Sequence, residues 1–248
     1  MGIFRPLVNR SLEIAPSDVE PSDKIVTVAT GFTVARPTVL GMTAAYKLAT
    51  GKKHAHRRVL ATGASDAEGN IGRLWDRLFP KSGRGTTEAG AYLDPPADTI
   101  AAIEIGVGML IGPKVSKLGK LATAIVIGHE SYKAIWAWGR NKEYKQHSGE
   151  MLKIKPTVEG KESMAEKFSA IWLASVTNDM EPGFGKFAVG ALALGFAIRG
   201  TTRGEGERKV YTQIAAQMIT DAKIANEQEQ LMASLSAPEF AQIEEVAL

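Results

Sequence analysis

The sequence predicts an all-α fold: an integral membrane bundle of about six transmembrane helices, with an N-terminal amphipathic arm and a C-terminal polar helix. Three observations lead there. Apolar runs of helix length alternate with polar turns, and an average hydropathy near zero conceals them because the charges sit in ends and loops. Small residues recur through Gly185-Lys-Phe-Ala-Val-Gly190-Ala-Leu-Ala-Leu-Gly195, which suits close helix packing in lipid. Trp136, Trp138 and Tyr144 cluster at one end of a candidate span, as an interfacial belt does. A soluble helical bundle with Gly/Ala seams is the alternative reading of the same composition.

Met1 to Asp23 reads as a weakly amphipathic arm carrying Arg5 and Arg10 and broken by Pro16 and Pro21; it has no secretory-signal pattern. The candidate spans are about Val26–Thr50, Val59–Leu78, Asp94–Ile111, Leu118–Trp138, Met164–Val176 and Phe184–Ile198. Residues 201–248 are polar, with one helix from about Arg208 to Leu235 and an acidic end after Pro238. The domain reading is therefore an arm over 1–28, a transmembrane domain over 29–200 and a helical tail over 201–248.

Charge orients the bundle. Arg140, Lys142, Lys145, Lys153, Lys155 and Lys161 follow the fourth segment, and Arg199, Arg203, Arg208 and Lys209 open the tail. The Asn178–Pro182 turn has no basic residue. This pattern places the turn between segments two and three on the cytoplasmic side, in a multi-pass protein of the cell membrane. Lys52, Lys53, Arg57, Arg58, Lys114 and Lys117 go against it.

Composition excludes several chemistries. With no cysteine among 248 residues there is neither a disulfide framework nor a thiolate metal site. A net charge of +3 and basic residues without interleaved aromatics give no support to nucleic-acid binding. His54, His56, His129 and His147 lack zinc-ligand spacing and read as surface or interfacial residues. No Walker-type loop or serine-nucleophile elbow is present.

The chemistry-bearing stretch is Gly90-Ala-Tyr-Leu-Asp94-Pro-Pro-Ala-Asp98. Two carboxylates four residues apart fall on one face of a helix, at the head of an apolar run. Burying them calls for compensation, commonly a divalent cation or a protonation role. A helix N-terminus favouring acidic residues is the simpler account. Upstream, Ser65-Asp66-Ala-Glu68-Gly69-Asn-Ile-Gly72-Arg73 adds more acid, two glycines and an arginine.

Together these blocks resemble the signature of the CDP-alcohol phosphatidyltransferase family: Asp-x-x-Asp-Gly-x-x-Ala-Arg, a spacer, then Gly-x-x-x-Asp-x-x-x-Asp. Gly90, Asp94 and Asp98 match without a gap, and Thr87 to Asp98 looks most like the phosphatidylglycerophosphate synthase branch. In the first block Gly69 and Arg73 match, Glu68 stands where the pattern has its second Asp, Gly72 where it has Ala, and Ser65 where it has its first Asp, or, with one residue deleted from the pattern, Asp66 is that first Asp. Thr33-Val-Ala-Arg36 and Gly160-Lys161 resemble further family features near the first and fifth spans.

The resemblance implies a metal-dependent membrane enzyme of phospholipid synthesis. It would transfer a phosphatidyl group from CDP-diacylglycerol to a polar alcohol, with glycerol 3-phosphate favoured, and release CMP. It implies metal ligation by Asp66, Glu68, Asp94 and Asp98, with magnesium as the ion and manganese as the alternative, and Asp98 as the catalytic base. Gly69, Gly72, Arg73 and Gly90 would bind the CDP moiety, and Arg36 and Lys161 the acceptor phosphate. A homodimer is implied as well. The altered first block also fits a family-derived scaffold without catalysis, and the mild hydropathy fits a soluble helical binding protein.

Overall fold

The computed structural model describes residues 28–65, 78–79, 88–150, 152 and 158–235; for 28, 29, 88–96, 161 and 235 it describes the backbone alone. The protein is all-α, with no strand among the described residues. The N-terminal arm over 1–27, the second segment beyond Ser65 up to Arg77, and the acidic end over 236–248 lie outside them.

The first candidate span forms one helical run of three parts. Helix α1 (Val28–Ala35) passes through a π-helical segment (Arg36–Gly41) into α2 (Met42–Ala49). Pro37 accounts for the wide turn, because proline removes a backbone donor and crowds the preceding turn. The other helices are α3 (Ala55–Ala64), α4 (Glu88–Ile111), α5 (Lys117–Ser148), α6 (Val158–Val176) and α7 (Phe184–Leu235), with a 3₁₀ turn at Thr177–Asp179. Span and tail were expected as separate helices, yet α7 runs through both without a break. Residues 199–210 contain no proline, and glycine weakens a helix without stopping it.

The chain forms two compact units. The first comprises residues 1–130 and 164–201. In it, α4 packs along α2, with the backbones in direct contact: a Cβ on Gly108 would meet the main chain of Ala45, and one on Gly112 the Leu48 carbonyl. Gly41 does the same for the π segment, lying against Glu104 and Ala101. The turns at 50–54, 112–116 and 177–179 meet at one end of this unit. There Ser116 N–H donates to Thr177 Oγ1 (3.0 Å) and Asn178 Nδ2 to the Lys52 carbonyl (2.9 Å). Antiparallel helices joined by short turns produce this gathering.

The core of the first unit is built mostly of small residues. Ala44, Ala101, Ala122, Ala170, Ala174, Ala193 and Ala197 are buried with Leu48, Ile105 and Met109, and so are Thr33, Thr62, Thr123 and Ser175. Many large apolar side chains also face outward, among them Phe32, Val39, Met42, Val107, Phe187 and Ile198.

The six segments expected to cross a membrane are corrected in one respect. Where described they fall mostly on helices, but among the described residues no helix is long and apolar enough to cross. Length and charge are the reasons: α1, α2 and α3 run only 8, 8 and 10 residues. Glu104 lies in the apolar body of α4, Glu130 and Lys133 interrupt α5, Glu166 and Lys167 interrupt α6, and α3 begins with Arg57 and Arg58 in its first turn.

The second unit comprises residues 131–163 and 202–248. Ala215 and Ile219 are buried, and charge supplies much of the remaining contact. Lys133 pairs with the buried Glu207 (3.1 Å), Arg203 with Glu162, Lys223 with Glu143 (3.3 Å), and Arg208 stacks on the Tyr132 ring (5.2 Å).

Candidate functional site

Arg36 is the centre of the candidate site. It opens the π segment, and its side chain is only 2% exposed. A long cationic chain in that position must be paired, because an uncompensated buried charge is expensive. Nε donates to Ser65 Oγ (3.2 Å), and Nη2 donates to the Ser65 carbonyl (3.2 Å). Nη1 forms an ion pair with the Asp98 carboxylate, which is one-quarter exposed. Ser65 in turn donates its hydroxyl proton to the Thr62 carbonyl (2.6 Å), so its oxygen is left to accept from Arg36. One guanidinium thus joins the middle of the first helical run, the end of α3 and the first half of α4.

Ser65 opens the first acidic block and Asp98 closes the second. Arg36 contacts one described residue of each block. Asp94 lies one turn before Asp98 in α4, about 6 Å along the axis, and Gly90 one turn before that. Both are described by backbone alone, as is Lys161 in α6. Asp66, Glu68, Gly69, Gly72 and Arg73 lie outside the described residues. The guanidinium of Arg36, expected to take an acceptor phosphate, is turned instead to Ser65 and Asp98.

The proposed metal ligands are hard oxygen donors, which suits magnesium. Among the described residues, however, no group of three or more acidic or histidine side chains converges. The one ligand candidate whose side chain is described, Asp98, already holds a cation. Asp98 as found here does not fit direct metal ligation.

Two further clusters escaped sequence reasoning. Asp179 accepts from the His54 backbone N–H through both carboxylate oxygens (3.0 and 2.9 Å) and meets His56 Nδ1 at 2.6 Å. In α5 and α6, Lys167 Nζ lies 2.5 Å from Glu130 Oε1 and 3.0 Å from His129 Nδ1. The side chains of Lys167, His129 and Glu130 are 2%, 9% and 10% exposed, so His129 is an interior residue rather than a surface one. The only sequence signal was charge inside apolar runs.

Compared with known proteins, the chain matches no family model, no curated protein and no solved structure.

Proposed function

We propose that this chain is a membrane-associated phosphotransferase of the CDP-alcohol type, moving a phosphatidyl group from CDP-diacylglycerol to a polar alcohol. Glycerol 3-phosphate is the favoured acceptor. The observation that carries this reading is the Arg36 bridge from Ser65 to Asp98, which brings the beginning of one acidic block to the end of the other.

In the proposed reaction an acceptor hydroxyl oxygen attacks the phosphorus of the phosphatidyl group. The bond from that phosphorus to the CMP oxygen breaks, and CMP leaves with the electron pair. The hydroxyl proton passes to a carboxylate, assigned to Asp98. Arg36 holds that carboxylate in place through a rigid, always-charged fork. A divalent cation, when bound by the remaining carboxylates Asp66, Glu68 and Asp94, would neutralise charge on the diphosphate.

Membrane association is supported by the side-chain distribution. Alanine and threonine supply much of the buried core beside Leu48, Val59, Val126 and Met109, while Phe32, Val39, Met42, Val107 and Phe187 face outward, an arrangement that suits a bundle surrounded by lipid. The hydropathy of each helix averages that outward face with inward charges. A multi-pass arrangement with the acidic blocks towards the cytoplasm, and a homodimer, belong to the same proposal.

The Arg36 clasp also favours a second reading, a family-derived scaffold that binds the CDP-lipid without turning it over. CMP release by the detergent-purified chain separates the two. The transferase reading predicts release that Asp98→Asn and Asp94→Asn each reduce by at least 10²-fold, the scale of a lost general base. Retained turnover in both variants contradicts it. Binding of CDP-diacylglycerol without release supports the scaffold.

A further inference from the structure

Asp98 can serve a cation or a proton, and its surroundings distinguish the two. A buried guanidinium already neutralises it, anchored at its other edge by two hydrogen bonds to Ser65. Arginine does not lose its charge, so this cation is permanent. A divalent ion on Asp98 would have to displace Arg36 and leave a buried guanidinium without its counter-charge, or sit beside it against like-charge repulsion. Ser65 contributes a hydroxyl where a carboxylate would have supplied a metal ligand, and that hydroxyl is taken by the same guanidinium.

We propose that Arg36 is the resident counter-cation of Asp98 and keeps divalent metal off it. Asp98 is thereby kept from direct metal ligation. Its role as proton acceptor rests on the transferase reading; the exclusion of metal does not. Because Pro37 forces the π segment that begins at Arg36, the arrangement is built into the first helical run rather than added at the site.

The test is Mn²⁺ binding by the full-length, detergent-purified protein, read from the paramagnetic resonance of the free ion. Arg36→Gln is expected to tighten Mn²⁺ binding roughly tenfold, and adding Asp98→Asn to that variant to abolish the gain. Asp98→Asn alone is expected to leave wild-type binding within about twofold. Unchanged or weaker binding in Arg36→Gln overturns the proposal. So does a loss of about tenfold or more in Asp98→Asn, which decides the matter by itself should Arg36→Gln not fold. CMP release is a separate readout: its absence counts against the transferase reading and leaves the Mn²⁺ comparison intact.

Discussion

His54 adopts a left-handed backbone conformation, with φ at 60°, which costs a non-glycine residue about 1–2 kcal/mol. Asp179 offsets that cost by accepting the His54 N–H through both carboxylate oxygens and by pairing with His56. Asp179→Ala is therefore expected to lower unfolding free energy by about 2 kcal/mol in detergent, checked by chemical denaturation; an unchanged midpoint would mean the turn holds itself. The sequence displays both histidines and the aspartate but not their meeting, because the contact depends on two turns being brought to one end of a bundle. Arg36 and Asp98 follow the same pattern. Asp98 was legible as an acid at the head of an apolar run and Arg36 through the resemblance, and their roles were read separately, as metal ligand or base and as phosphate ligand. Only the fold pairs them, and the pairing alters what either can do.

Helix against helix, Gly108 of α4 and Gly112 just beyond its end lie directly against the backbone of α2. Gly108→Ala would drive a methyl into the Ala45 main chain, where no side-chain rotation relieves it. A loss of about 1–3 kcal/mol is expected, measured as a lowered unfolding midpoint. Sequence reading placed the small-residue seam at Gly185–Gly195 instead. There Gly190 packs closely on Ser116 and Leu118, while Gly195 has nothing near the place of a Cβ. Composition reveals that glycines are spaced for packing; which of them face a partner depends on helix rotation, which composition does not carry. The helices themselves were legible from their apolar runs; the π segment within the first of them was not. In the second unit, the hydrogen bond from Lys223, with the charges of Lys223 and Arg140, holds the Glu143 carboxyl below its ordinary range. A depressed folded value contributes stability above the unfolded pKa and loses it as pH falls through the folded one. Glu143→Gln should thus be slightly less stable than wild type at pH 7, by about 0.5 kcal/mol for so exposed a pair. The difference should vanish under acid conditions. Thermal unfolding at both pH values checks this, and a difference that persists in acid contradicts it.

Across the whole molecule, the side-chain distribution and the helix hydropathies pull in different directions, and the same residues explain both. Glu104, Glu130, Glu166 and Lys167 lie within helices whose outer faces are apolar, so each helix averages to less than a membrane span requires. The all-α class survives this averaging because it needs only helix-length runs, whereas the membrane reading depends on which face each charge occupies. The site was legible to the extent that Gly90, Asp94 and Asp98 share one helix, and illegible wherever a guanidinium could take the place of a metal. The most direct measurement is CMP release by the detergent-purified wild-type chain given CDP-diacylglycerol, magnesium and a panel of alcohols, with the lipid product identified in the same reaction. The transferase account predicts CMP and a phosphatidyl-alcohol in equal amounts, dependent on one acceptor and lost in Asp98→Asn. No CMP with any acceptor, from a folded protein, would contradict it.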